Sequence, residues 1–221
     1  MSEYNILYFL TNFSIPGELD KENDLKYFHL CLIRNLKLNL RVKKMTSLNR
    51  LGQRICILGP SNSGKSTLAT KLGEKLNISV CHLDQLAHIP GTNWERRDEK
   101  EFAADHDSFL EKGSWIIEGN YSFCMPQRFA KATSLIWVDP NFLGCCFRYM
   151  LRCLKNDHSR PGRLKDATNE FSFEVINLIA FKYPKIRKRH KAILSRYTFP
   201  ILYIHSMKEL NQYYTKWGLK R

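Results

Sequence analysis

Nowhere in the 221 residues does an apolar run approach the roughly 20 residues that a membrane-crossing helix requires, so no membrane partner is expected. Cysteine occurs at positions 31, 56, 81, 124, 145, 146 and 153, with no Cys-x-x-Cys pair and no Cys/His cluster at zinc spacing. Several of these lie inside apolar runs, where Cys acts as a small hydrophobe. Reduced, structural thiols are the expectation. The stretch Met1–Phe13 is partly apolar but has no basic leader, and Glu18, Asp20 and Glu22 follow it. It does not read as a signal peptide, and a cytoplasmic location is expected. Acids are scarce, 21 against 35 Lys and Arg.

The resulting charge of +14 is unevenly placed. Residues 182–221 hold eleven Lys/Arg against the single acid Glu209, which accounts for +10 of it. Such a region suits polyanions, whether nucleotides, phosphorylated substrates or nucleic acid. A solvated basic helix face explains it equally well.

From residue 54 short apolar runs alternate with amphipathic stretches. Arg54–Leu58, Ser79–Leu83, Trp115–Glu118, Leu135–Asp139 and Phe199–His205 are strand-length. Leu68, Leu72 and Leu76 mark a first helix. Asp98 with Glu101 forms the capping box of a second, carrying Phe102, Ala103, His106, Phe109 and Leu110. Leu143, Cys146, Phe147, Met150, Leu151 and Leu154 mark a further helix. Ser206 with Glu209 caps the last, which presents Leu210, Tyr213, Tyr214 and Trp217. Five strands alternating with helices predict an α/β protein whose parallel sheet is covered on both faces. Residues 1–44 do not fit this repeat and are expected to be an extension outside the core, or a product of an upstream start; residues 45–221 form the predicted domain.

Gly59-Pro60-Ser61-Asn62-Ser63-Gly64-Lys65-Ser66-Thr67 contains the phosphate-loop pattern Gly-x-x-x-x-Gly-Lys-Ser between a strand and a helix. The glycines let the backbone wrap a phosphate with its N–H groups inward, and the helix that begins here adds its positive end. Lys65 is expected to neutralise the β/γ-phosphates of a nucleoside triphosphate, and the Ser66 hydroxyl to ligate Mg²⁺.

A phosphate loop by itself names no reaction. Asp84, Glu118 and Asp139 stand at strand ends, where an open α/β sheet gathers around its ligand. Arg148, Arg152 and Lys155 share a helix face, and the compact stretch from Asn156 to Arg163 follows. Arginines there are placed to close over a triphosphate.

On these residues the chain resembles the adenylate-kinase-related P-loop proteins often labelled DNA topology modulation proteins. The segments that carry the likeness are ILGPSNSGKST, HLDQL followed by GTNWERRD, WIIEGNYS, and RPGRLKDATNEFSFEVINLIAFKYPKIRKRH. They span about three quarters of the chain. The resemblance implies a P-loop NTPase fold, a five-stranded parallel sheet with the phosphate-loop strand in the middle. It implies ATP as phosphoryl donor with Mg²⁺, and it sets Glu118 at the position of the acid that holds Mg²⁺ water. Asp84 falls where related kinases hold an acid near the acceptor hydroxyl, and Arg160 and Arg163 fall in the lid. Asn120-Tyr121-Ser122 replaces the usual run that ends in a substrate arginine, so Arg128 is expected to substitute, with Arg152 also on the substrate side. The function implied is ATP-dependent phosphoryl transfer to a small acceptor, a nucleotide or another metabolite. The rival is a nucleotide-responsive regulator that binds nucleic acid through its basic C-terminal region.

Overall fold

The computed structural model describes residues 47–155, 160–164 and 171–220. The extension expected over residues 1–44 lies outside them, as do Cys31 and, of the expected lid stretch, residues 156–159.

Five parallel strands form one sheet in the order β2-β3-β1-β4-β5. They are β1 (Arg54–Leu58), β2 (Val80–His82), β3 (Trp115–Glu118), β4 (Ser134–Val138) and β5 (Ile201–Ile204). With neighbours on both sides, β1 is apolar almost throughout, as a strand buried on two faces must be. Its odd residues Ile55 and Ile57 join Leu68, Leu72, Ile136, Leu202 and Leu210 in one core. Cys56 and Leu58 join Phe102, Trp115, Phe129 and Trp137 in the other. Burial pushes the thiols of Cys56 and Cys81 up to about 12, so they behave as hydrophobes. No disulfide forms among the described residues.

The helices that cover the sheet are α1 (Lys65–Leu76), α2 (Leu83–Ala87), α3 (Glu99–Leu110), α4 (Met125–Lys131), α5 (Phe142–Lys155), α6 (Phe173–Asn177), α7 (Tyr183–Leu194) and α8 (Met207–Lys216). Both expected N-caps form. Asp98 accepts from the backbone N–H of Lys100 and Glu101, Ser206 from that of Glu209, and the Glu209 carboxylate accepts from the His205 N–H at 2.7 Å. No described helix is long and apolar enough to cross a membrane.

Three elements depart from the sequence-based expectation. The apolar stripe of α5 faces outward, while Cys145 and Tyr149 on its other side are buried. Helices α6 and α7 were not anticipated; they run on through a π-helical turn at Leu178–Lys182. Pro184 lacks the N–H that would bond back to Ala180, which is the ordinary cause of such an irregular turn.

Candidate nucleotide-binding site

The loop between β1 and α1 lies where the central strand meets a twelve-residue helix. A Cβ on Gly59 would fall 2.1 Å from the Val138 carbonyl oxygen, so only glycine lets β1 and β4 stay this close. The Asn120 side chain grips the same residue from both ends. Its Oδ1 accepts from the Gly59 N–H at 3.3 Å, and its Nδ2 donates to the Gly59 carbonyl at 2.7 Å. Asn62 takes a left-handed conformation, φ 60°, and is held by two arginines of α5. Arg148 Nε donates to its carbonyl at 2.8 Å and Arg152 donates to its Oδ1 at 2.9 Å. Arg152 therefore spends part of its guanidinium on the loop itself. Burial lowers its pKa, opposed in part by charges that include Asp84.

Behind the loop sits a buried carboxylate. Glu118 ends β3 with its side chain 1% exposed; its Oε2 is 3.9 Å from Lys65 Nζ. Its Oε1 accepts from the Ser66 hydroxyl at 2.8 Å and lies 3.0 Å from His82 Nδ1. A carboxylate only accepts, so Nδ1 of His82 carries the proton. Parallel pairing of β2 with β3 sets His82 opposite Glu118, and His82 Nε2 faces the Thr70 hydroxyl at 3.3 Å. Burial pushes the Glu118 pKa up, but Lys65, His82 and Ser66 together outweigh it and leave the carboxyl below its ordinary 4.5.

Glu118 Oε2 is buried and accepts no hydrogen bond among the described residues. An ionised oxygen in that state, beside a serine hydroxyl at a helix N-terminus, suits a hard cation that also takes phosphate oxygens. The residues present thus fit Mg²⁺. Glu118→Gln keeps the size and the Ser66 contact but removes the charge. Triphosphate binding by this variant should depend far less on Mg²⁺, and an unaltered metal titration would count against the assignment. Its stability should also change with pH. A depressed carboxylate stabilises the fold fully above its ordinary range, and that contribution is lost as pH falls through the depressed pKa. The glutamine variant should lack that acid-side loss, which urea melts from neutral pH downward would show.

Asp84 lies two residues past the end of β2, in the first turn of α2, and not directly at the strand's end as the sequence pattern had it. Its Oδ1 accepts from the Tyr121 hydroxyl at 2.9 Å. The Tyr121 pKa is raised by burial first and then by the charge and hydrogen bond of Asp84, with Arg96 working the other way. Asp84 thus stands half-buried between a phenol donor and nearby cationic charge.

Arg160 and Arg163, expected in a lid, flank Gly162, whose φ is +72°. A Cβ on Gly162 would sit 3.0 Å from Ser66 Cβ and 3.1 Å from both Ser66 Oγ and His82 Nδ1. The segment therefore rests directly on the start of α1. Gln85 ties it down by donating to the Arg163 carbonyl at 2.8 Å, and Leu164 is buried.

Two expectations need correction. Arg128 is fully buried and cannot reach a substrate. It donates to the Gly119 carbonyl at 2.9 Å and to Cys124 Sγ at 3.4 Å, and so supports the turn that presents Asn120. The reason is packing, because its neighbours Met125 and Phe129 draw α4 into the core. Asp139 does not face the ligand crevice as a free acid; it pairs with Arg187 Nε at 2.8 Å. Asn120, Tyr121 and His82 were passed over in the sequence, although the first two sit in the GNYS run. His82 became visible only through strand register.

No family model matches the chain, and no curated protein does. Among solved structures, an uncharacterized protein from Eubacterium ventriosum is 17% identical, with 75% of this chain and 98% of that one covered and a TM-score of 0.42. A deoxyadenosine kinase from M. mycoides, solved with dCMP and dCDP, is 13% identical over 74% of this chain and 94% of that one, TM-score 0.38. The structure of deoxyadenosine kinase from M. mycoides with dCTP is 14% identical over 74% and 98%, TM-score 0.37.

Proposed function

We propose that this chain is an ATP-dependent phosphotransferase that moves the γ-phosphoryl group to a hydroxyl of a small acceptor. One observation carries the reading. A buried carboxylate, one oxygen of which accepts no hydrogen bond among the described residues, is hydrogen-bonded to the loop serine and 3.9 Å from the loop lysine, at the mouth of a glycine-bounded loop.

In this reading residues 59–67 hold the triphosphate, with Lys65 opposite the β/γ-phosphates. Ser66 and Glu118 would hold Mg²⁺, whose charge would offset that of the phosphates. Asp84 accepts the proton of the acceptor hydroxyl as its oxygen bonds to the γ-phosphorus. The bond from that phosphorus to the β–γ bridging oxygen breaks, and ADP leaves. Tyr121 keeps Asp84 in place by donating to one carboxylate oxygen and leaving the other for the acceptor. Arg160 and Arg163 neutralise charge from above.

A second reading is nucleic-acid binding coupled to the nucleotide state. It rests on Lys185, Lys188, Arg189 and Lys191, which α7 exposes without an intervening acid.

Purified protein with Mg·ATP, screened against nucleoside monophosphates, nucleosides and common metabolites, tests both. The kinase reading expects ADP release that depends on one acceptor class. Release indifferent to every acceptor, together with nucleic-acid binding that falls steeply with salt, would transfer the case to the second.

A further inference from the structure

Behind the phosphate loop the side chains of Ser66, Glu118, His82 and Thr70 close a hydrogen-bonded circuit. Ser66 and Thr70 both belong to α1, one turn apart and therefore on the same face of the helix. Ser66 donates to Glu118 Oε1 at 2.8 Å, and His82 Nδ1 reaches the same oxygen at 3.0 Å. The Thr70 hydroxyl meets His82 Nε2 at 3.3 Å and completes the circuit. It joins α1 to β3 and to the edge strand β2, of which His82 is the last residue. The His82 side chain is 11% exposed and that of Glu118 1%.

We infer that His82 is the positioning residue of the cation site, holding the Glu118 carboxylate so that Oε2 is presented to the Mg²⁺ of a bound triphosphate. This role rests on the Mg²⁺ site of the proposed function, and is independent of which acceptor takes the phosphoryl group. A carboxylate oxygen offers two lone pairs. Both on Oε1 are engaged by donors from different elements, and two donors on one oxygen fix the plane of the group. Oε2 accepts no hydrogen bond among the described residues and stands 3.9 Å from Lys65 Nζ. Ser66 by itself would be a weaker anchor, because its hydroxyl turns about one torsion and its oxygen also serves the cation. His82 has no such second task, since its far nitrogen is spent on Thr70.

The Thr70 contact sets the tautomer. A hydroxyl that donates to Nε2 keeps the ring proton on Nδ1, where it meets Glu118. With the proton on Nε2 instead, a ring lone pair would face a carboxylate oxygen and the two would repel. Water is a poor substitute for the ring at this place. A Cβ on Gly162 would fall 3.1 Å from His82 Nδ1, so the backbone there closes over that edge of the imidazole.

Calorimetry of ATP binding to the full chain at fixed pH, with Mg²⁺ varied and then removed by EDTA, tests the role. His82→Leu keeps most of the bulk and loses the donor. The Mg²⁺ concentration it needs for tight ATP binding should rise by about 10- to 100-fold, as expected when a metal ligand loses its outer partner. ATP binding without metal should stay within about twofold on the same reasoning. His82→Asn, whose amide N–H can stand where Nδ1–H stood, should recover most of the loss. In a Glu118→Gln background His82→Leu should cost nothing further, because it acts through that carboxylate. Ring-nitrogen NMR of the unmodified chain is a check free of mutation, and should find the His82 proton on Nδ1 with Nε2 an acceptor. A proton on Nε2 in place of Nδ1 overturns the inference. A folded His82→Leu protein with the wild-type Mg²⁺ titration also overturns it, and leaves His82 a partner in stability alone. Wild-type ATP affinity indifferent to Mg²⁺ removes the cation site and this role with it. Absence of turnover with every acceptor, beside the expected titrations, would instead sink the phosphotransferase reading and support the role of His82.

Discussion

Lys65→Ala should abolish measurable Mg·ATP binding while the protein still folds. The side chain is nearly buried, its Nζ donating to the Pro60 carbonyl at 3.4 Å and standing 3.9 Å from Glu118. It is thus held at the phosphate loop before any ligand arrives. Removing it takes a charge-assisted contact from the phosphates, and a loss of ~100-fold or more in affinity, about 3 kcal/mol, is expected. Glu118 retains Ser66 and His82, so the carboxylate is not stranded. Without the lysine, however, its pKa should rise, because burial continues to push it up. Calorimetry with Mg·ATP is the direct test, accompanied by a thermal melt showing that the variant still unfolds cooperatively. Equal affinity in the two proteins would falsify the assignment.

Asp84→Asn should separate binding from chemistry. Asparagine matches the carboxylate in size, and its Oδ1 still accepts from Tyr121, so the turn at the head of α2 should persist. What disappears is the negative charge and the capacity to take a proton. ATP affinity should stay within about twofold, since among the described residues Asp84 accepts from Tyr121 and not from the loop, while acceptor turnover falls by ~10²-fold or more. Steady-state rates together with ATP titration decide it. Unchanged turnover would remove Asp84 from the reacting groups and leave it a turn residue satisfied by Tyr121.

Much of the local organisation was legible in the sequence because it depends on neighbours in the chain. The spacing of Gly59, Gly64, Lys65 and Ser66 depends on one turn of backbone and one helix start. The capping pairs Asp98–Glu101 and Ser206–Glu209 are three residues apart and form as their spacing predicts. The strand runs at Arg54–Leu58 and Trp115–Glu118 match their observed limits, since a strand buried on both faces must be apolar throughout.

Side-chain partners across the sheet were another matter. Whether Glu118 meets Ser66 depends on β3 lying next to β1 in one particular register, and His82 meets Glu118 only because β2 pairs with β3. Arg128 was expected at a substrate because an arginine was missing elsewhere. Composition could not show that Met125 and Phe129 would bury it. The stripe on α5 makes the same point from the other side. Periodicity established that the helix has an apolar face, yet not which face would be covered. In the folded chain Arg148 and Arg152 must reach Asn62, and that contact turns Leu143, Phe147 and Leu154 outward.

By itself the sequence determined the phosphate loop and the alternation of strands and helices. Those features follow from backbone sterics, hydrophobic period and contacts a few residues apart. Only the tertiary structure decided which acids serve the loop, which arginine is buried, and which face of α5 remains open. Each of those depends on contacts between residues far apart in the chain, such as the 52 positions that separate Ser66 from Glu118, and strand order and register alone bring such residues together.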